Sequence, residues 1–299
     1  MAETVVIETS DLKKDYGGVE AVRGLDLRVP AGSIYGLLGR NGAGKTTTIK
    51  VLLGIAHPTS GVARVFGLAA NDPEASVEIR RRTGFVSEDK DLYGSMTVEQ
   101  IVRFTSAFFP RWRGDLAASY QRMFELPADR KVGALSRGTR AKLALLLALC
   151  RGAELLMLDE PTSGLDPAVS EEVMQALVRH VAGEPLTVFL SSHRIAEIDQ
   201  IADHVAIIDR GRAVVAGTLD GLRDSYRRIQ LVFDGEAPAP SFRTQCIVRA
   251  ERRGRVLTII SSGGAESVLD EARALRPASV DVLPVTLKEI FLETVKAED

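Results

Sequence analysis

Gly39-Arg40-Asn41-Gly42-Ala43-Gly44-Lys45-Thr46 fills every fixed position of the pattern G-x-x-x-x-G-K-[ST]. The residue types dictate the chemistry. Glycines let the backbone wrap tightly, so that consecutive N–H groups point inward at phosphate oxygens. Lys45 adds a point charge for the outer phosphates, and the Thr46 hydroxyl suits Mg²⁺. The flanks argue against a chance match in a Gly-rich turn. Ser33-Ile34-Tyr35-Gly36-Leu37-Leu38 reads as a buried strand, and Thr47 to Leu53 continues as a helix whose N-terminus faces the loop. Strand, glycine loop and helix in that order predict an α/β core with a nucleotide site over Gly39–Thr46 and the adjoining Thr47.

Upstream, Val5-Val6-Ile7 and Leu25-Asp26-Leu27-Arg28-Val29 alternate as strands, with Gly17-Gly18 as a turn between them. Downstream, Thr59-Ser60-Gly61 reads as a turn, Val62–Phe66 as a strand, Pro73–Arg82 as a helix and Gly84-Phe85-Val86 as a short strand. The stretch from about residue 88 to 150 is mostly helical. Thr97 is an N-cap candidate; Ile101, Phe104, Thr105 and Phe108 fall on one helix face, which predicts Phe104 and Phe108 in the core. Leu116–Leu126 and Arg140–Cys150 supply two more helices, the second apolar nearly all round. Leu155-Leu156-Met157-Leu158 and Thr187-Val188-Phe189-Leu190 are continuous apolar runs, the pattern of central parallel strands. Asp166-Pro167 opens a helix with Asp at N-cap and Pro at N1, and Ile207–Val214 reads as a hairpin turning at Gly211.

Character changes after Gly217. A helix over Leu219–Tyr226 is followed by strands near Ile229–Phe233, Gln245–Val248 and Val256–Ile260, a helix Glu266–Leu275, a strand Val280–Leu283 and a final helix Thr286–Lys296. That is an α+β order rather than strand–helix alternation. The expected division is therefore 1–218 and 219–299.

Bulk properties set limits. A chain of 299 residues has a prior of about two domains. A net charge of −2 gives no general attraction to nucleic acid or an anionic membrane. The basic runs Arg80-Arg81-Arg82 and Arg252-Arg253 lack interleaved aromatics and read as solvated surface. The apolar run Leu143–Cys150 is far short of the roughly 20 residues a membrane-crossing helix needs. Met1-Ala2-Glu3-Thr4 lacks a signal-peptide start, and two cysteines, Cys150 and Cys246, make no disulfide framework, which fits the cytoplasm. Histidines 57, 180, 193 and 204 show no zinc-ligand spacing.

The glycine loop alone fits kinases, GTPases and many ATPases, so the downstream motifs decide. Asp159-Glu160 follows the apolar strand Leu155–Leu158 directly. The strand end delivers Asp159 next to the Mg²⁺ coordination sphere. Glu160 points toward the γ-phosphate, where a carboxylate acts as general base or orients the attacking water.

Over about residues 4 to 217 the chain resembles an ATP-binding cassette (ABC) ATPase. Leu135-Ser136-Arg137-Gly138-Thr139 resembles the family's signature loop Leu-Ser-Gly-Gly-Gln, Ser163-Gly164-Leu165-Asp166 matches its D-loop, and His193 matches its switch histidine. Tyr16 sits where the family places an aromatic ring against adenine. The resemblance implies a P-loop NTPase core with a mostly parallel sheet, an N-terminal antiparallel β subdomain and a helical subdomain, here followed by a small α+β domain. It implies ATP and Mg²⁺ as ligands, the metal held by Thr46, Asp159 and Glu88. It also implies a head-to-tail dimer with a second copy or a homologous ATPase subunit, in which Ser136 and Gly138 serve the partner's ATP while Glu160 and His193 act on their own.

Three residues depart from the pattern, at two places. Glu88 replaces the usual glutamine after the strand Gly84-Phe85-Val86, and in the signature loop Arg137 and Thr139 replace glycine and glutamine. With the Tyr93–Val98 block and Phe108-Phe109-Pro110-Arg111-Trp112, these features look most like bacterial exporter-type cassettes. Those pair with a separate integral membrane permease, place the ATPase on the inner face of the membrane, and often carry a C-terminal extension. The alternative is a soluble cassette ATPase acting in macromolecular assembly. No nucleic-acid partner is expected.

Overall fold

The structure, a computed structural model, describes residues 4–183 and 185–295. The chain divides into two units, residues 1–214 and 215–299. In the first, β1 (Val5–Asp15) and β2 (Glu20–Pro30) form an antiparallel hairpin. β3 (Ile34–Leu38) leads through the glycine loop into α1 (Lys45–Leu52), then β4 (Ser60–Val65) and β5 (Leu68–Ala69). α2 (Pro73–Arg82) runs straight into β6 (Thr83–Val86). α3 (Val98–Ser106), α4 (Gly114–Met123), a 3₁₀ turn at Val132–Ala134 and α5 (Arg137–Leu149) make the helical segment. β7 (Leu155–Asp159), α6 (Pro167–Val181), β8 (Thr187–Ser192), α7 (Ile195–Ile201), β9 (His204–Asp209) and β10 (Arg212–Thr218) follow, the last spanning the division at residue 214.

The strands form an antiparallel sheet ordered β2-β1-β4-β5 and a six-stranded sheet ordered β10-β9-β3-β8-β7-β6. In the larger sheet β9, β3, β8, β7 and β6 are parallel neighbours. Every residue of β7 and β8 is buried, as expected of strands covered on both faces. α1 packs against β2, β4 and β7, and one core joins Leu12, Leu27 and Val65 to Ile49, Met157 and Phe189. Local chemistry sets the boundaries. Asp72 caps α2 by accepting from the Ala75 N–H at 2.8 Å, Asp166 caps α6 by accepting from Val169 at 3.0 Å, and Pro follows each at N1. Arg210 and Gly211 both have positive φ, 46° and 79°, as a two-residue hairpin turn requires.

α3 opens with a capping box in which the Gln100 N–H donates to Thr97 Oγ1 at 3.2 Å and the Thr97 N–H donates to Gln100 Oε1 at 2.9 Å. Thr97→Ala is expected to cost about 1 kcal/mol of unfolding free energy, measurable by denaturant titration.

Several expectations are corrected here. Phe104 is 40% and Phe108 63% exposed; only Val98 and Ile101 turn that helix inward. α3 ends at Ser106, so Phe108 lies beyond it and the helical spacing no longer applies. Instead Tyr93, Phe104 and Phe108 form an edge-to-face row with ring centroids 5.7 and 5.0 Å apart. α5 starts at Arg137, not Arg140, because Ser136 caps it. Of the first basic run, only Arg81 is solvated as expected. Arg80 donates to the Leu53 carbonyl at 2.9 Å, and Arg82 pairs with Glu154 at 2.7 Å while covering the Phe66 ring.

The second unit contains α8 (Leu219–Ser225), β11 (Tyr226–Val232), β12 (Ile247–Arg253), β13 (Val256–Ser262), α9 (Ala265–Ala274), β14 (Ser279–Pro284) and α10 (Leu287–Thr294). The sheet is antiparallel, ordered β12-β13-β11-β14. Ile229, Leu231, Leu257 and Ile259 pack with Val268 and Ala272 of α9. Salt bridges tie α10 to the strands, Arg228 to Glu289 at 2.6 Å and Arg249 to Glu293 at 2.8 Å. β12 begins at Ile247, past the expected Gln245, and carries Arg252-Arg253. Lys296, the expected end of the last helix, lies outside the described residues. Among the described residues no helix is long and apolar enough to cross a membrane.

Candidate functional site

Three adjacent parallel strands, β3, β8 and β7, end at one edge of the larger sheet, with Leu38 beside Ser192 and Asp159 beside Ser191. The carboxyl edge of a parallel sheet is where α/β folds place ligands. β3 delivers the glycine loop, β7 delivers Asp159 and Glu160, and β8 delivers His193.

Gly44 caps α1 with φ 103°, and a Cβ there would stand 2.4 Å from the Ala21 carbonyl oxygen. Only glycine fits both constraints. No side chain caps α1, so its first N–H groups have no side-chain partner and stay available to an anion. The loop borders a cavity of about 430 Å³ lined by Asn41, Gly42, Gly44, Lys45, Thr46 and Thr47, with Glu88 and Glu160 completing it. Behind it, Ala43 is buried, and the Gly39 and Arg40 carbonyls accept from Lys45 Nζ at 2.9 and 3.2 Å.

Glu160 is the hub. Its carboxylate lies 3.0 Å from Lys45 Nζ through Oε1 and 2.7 Å from His193 Nδ1 through Oε2. Lys45 and Glu160 are 5% and 3% exposed, so the pair interacts in a low-dielectric setting. The Glu160 backbone is left-handed, φ 48°, and its N–H donates to the Ser191 carbonyl at 3.1 Å. A bulky non-glycine residue holds that conformation only where its surroundings impose it. Ser191 also donates from Oγ to Asp159 Oδ1 at 2.6 Å, fixing the neighbouring carboxylate.

Thr46 and Glu88 supply oxygen donors to the cavity, and buried Asp159, which does not itself line it, ends β7 next to Glu160. One hydroxyl and two carboxylates suit a hard divalent cation. Among the described residues no cluster of three or more His, Cys, Asp or Glu side chains forms a ready-made cage. Such a donor set matches Mg²⁺ that completes its shell with phosphate oxygens and water.

Two charged residues that the motifs did not reveal shape the site. Lys90 is buried, has φ 51°, and donates from Nζ to the carbonyls of Glu88 at 2.9 Å and Glu160 at 3.4 Å. Burial pushes its pKa down, opposed by Glu88, Asp89, Glu160 and Asp159. Glu197, on α7, accepts from Thr162 at 2.6 Å, Ser192 at 2.9 Å and Arg194 at 3.2 Å, anchoring both sides of His193 and the turn after Glu160. The only sequence signal for either was its nearness to a motif.

The other predicted residues are not among those lining the cavity. Tyr16 is 49% exposed, with Lys14 Nζ 4.6 Å from its ring centroid. Leu135 is buried, while Ser136 is exposed and accepts from the Thr139 N–H at 3.1 Å as the cap of α5. Ser136 Oγ also shares a hydrogen bond with Thr139 Oγ1 at 2.8 Å, which leaves the hydroxyl capacity for one further partner. Arg137, Gly138 and Thr139 form the first turn of α5, and none of residues 135–139 lines the glycine-loop cavity. Ser163-Gly164 continue the turn from Glu160, Leu165 is buried, and Asp166 is spent as the cap of α6.

A family model described as ABC transporter matches residues 22–163, and a second, an AAA domain, matches residues 128–199. The bacitracin transport ATP-binding protein BcrA of Bacillus licheniformis is 38% identical over 228 residues, 75% of this chain and 74% of that protein. The daunorubicin resistance ATP-binding protein DrrA3 of Streptomyces coeruleorubidus is 33% identical over 99% of this chain and 95% of its own length. A solved ATP-binding subunit of an ABC transporter superposes with a TM-score of 0.66 at 26% identity, covering 73% of this chain and 92% of that one.

Proposed function

This chain belongs to the ABC transporter family, as an ATP-binding subunit with ATPase activity, and from that premise we propose a working assignment of its residues, metal and partners. Residues 1–218 act as the ATPase domain and 219–299 as an accessory domain. The glycine loop Gly39–Thr46 with Thr47 holds the ATP phosphates, and Tyr16 stacks on the base. Thr46, Asp159 and Glu88 hold Mg²⁺, which when bound polarises the phosphate oxygens. Glu160 takes the proton of the attacking water, and His193, hydrogen-bonded to Glu160 Oε2, orients that carboxylate and the γ-phosphate. The observation that carries this reading is the convergence of Lys45, Glu160 and His193 within 3.0 Å contacts at the ends of three adjacent parallel strands.

The arrangement also explains what ATP must change. Lys45 is paired with Glu160, so an incoming phosphate competes with the carboxylate for the same ammonium. Moving Lys45 to the phosphates frees Glu160 to face water, which couples occupancy to readiness for hydrolysis.

The signature segment Leu135–Thr139, outside its own chain's cavity, serves the ATP of a second copy in a head-to-tail dimer with the D-loop Ser163–Asp166 at the junction. That dimer powers transport, in the export direction, through a separate integral membrane permease, and the chain lies on the inner face of the membrane through it. Support for export comes from the relatives, whose names concern bacitracin transport and daunorubicin resistance. Isolated from its native cell with an affinity tag, the chain co-purifies with a multi-span membrane protein and its ATPase rate responds to that partner. Recovery with soluble partners alone overturns the transport role in favour of an assembly ATPase.

A further inference from the structure

The hydrogen bond between His193 Nδ1 and Glu160 Oε2, 2.7 Å long, joins two segments that lie past the ends of β8 and β7. The parallel ladder between those strands stops where Asp159 stands beside Ser191. One step further, the Glu160 N–H still donates to the Ser191 carbonyl. Beyond that point a shared carboxylate holds both segments. Glu197, in the first turn of α7, accepts through Oε1 from the Thr162 hydroxyl at 2.6 Å and from Arg194 Nη1 at 3.2 Å. Through Oε2 it accepts from the Ser192 hydroxyl at 2.9 Å. Ser192 and Arg194 are the two neighbours of His193 in the chain, and Thr162 stands two residues after Glu160.

This network is enclosed. Glu197 is 8% exposed, and Thr162 and Ser192 are fully buried. A carboxylate is costly in such a place unless its oxygens are hydrogen-bonded, and both are. The helix that carries it is equally fixed. Ile198, the next residue, is fully buried and packs so closely on β3 that a Cβ at Gly36 would stand 2.5 Å from its Cγ2. The Ser192 hydroxyl also accepts from the Arg194 N–H at 2.9 Å, which closes the turn around His193. The His193 side chain is partly exposed, so packing alone leaves the ring room to swing.

We infer that Glu197 is a positioning residue for hydrolysis. Its carboxylate registers the segment carrying His193 against the turn carrying Glu160, and so sets the bond between them. This role presupposes Glu160 and His193 as the hydrolytic pair. Glu197 acts through them, since it is not among the residues lining the glycine-loop cavity.

The test uses the full chain. Glu197→Gln keeps the side chain's shape but replaces an accepting oxygen by a donating amide, so the Thr162 or the Ser192 bond is lost or reversed. With isotope-labelled histidine in nucleotide-free protein, the His193 ring-nitrogen resonances of this variant move from their wild-type positions. Its kcat falls about tenfold while KM for ATP stays within about twofold. Thr162→Val cuts one arm alone, lowers kcat about threefold, moves the same resonances, and carries the test if Glu197→Gln fails to fold. In a His193→Ala background each substitution lowers kcat by less than about twofold more, because the group it positions is gone. Wild-type kcat in both variants overturns the role, and so does an effect that persists in full without His193. Wild-type turnover in His193→Ala itself removes the underlying reading of that histidine. The resonances, recorded without nucleotide, then still judge whether Glu197 sets the ring, and unchanged resonances in both variants overturn it.

Discussion

In the Glu160→Gln variant, ATP turnover falls by roughly a hundredfold to ten-thousandfold while ATP binding persists. Glutamine has the size and shape of glutamate, so the φ 48° turn and the Ser191 bonds are unaffected. What disappears is the negative charge proposed to take or orient a water proton. The same change removes the carboxylate that holds Lys45 at 3.0 Å in the nucleotide-free chain. ATP then no longer competes for that ammonium, so affinity is equal to or higher than that of the wild type. Single-turnover kinetics with a parallel nucleotide-binding titration separate the two effects. A variant that hydrolyses ATP at the wild-type rate has its base elsewhere.

Lys45→Ala abolishes measurable ATP binding. The ammonium is the one side-chain cation lining the glycine-loop cavity among the described residues, and the outer phosphates have no substitute for it there. The variant also carries a structural cost. It leaves Glu160, 3% exposed, without its lysine, and breaking a buried ion pair costs about 3–5 kcal/mol. Combining Lys45→Ala with Glu160→Gln removes the orphaned charge, so the double variant recovers stability without recovering binding. Calorimetric titration with ATP, beside thermal unfolding, distinguishes lost binding from lost fold. Unchanged ATP affinity in either variant contradicts the role of the loop.

The parts of this protein that were legible in its sequence are those fixed by local chemistry. β3, β7 and β8 announce themselves as apolar runs because both faces of the strands are covered. α2 and α6 start where they should because Asp72 and Asp166 are capping residues followed by proline. The glycine loop is readable because its backbone conformation restricts the residue types. Contacts that depend on distant segments were not readable. Phe104 and Phe108 satisfy helical spacing, yet the helix stops at Ser106 and the rings stay exposed beside Tyr93. Lys90 and Glu197 carry no motif; their importance comes from carbonyls and hydroxyls brought to them by β7 and β8. Glu88 and Arg137 stood out in the sequence as two isolated departures. The fold brings them to the lining of a single cavity.

On the proposed assignment each pocket is half a site, completed by the signature segment of a second copy. This is tested most directly by the mass of Glu160→Gln in solution, measured by light scattering with saturating ATP and Mg²⁺. The expected result is a shift from the monomer mass of 32.3 kDa to about twice that value when ATP is added, reversed when Ser136 is also replaced by arginine. A variant that stays at the monomer mass while calorimetry shows its pocket filled with ATP would contradict it.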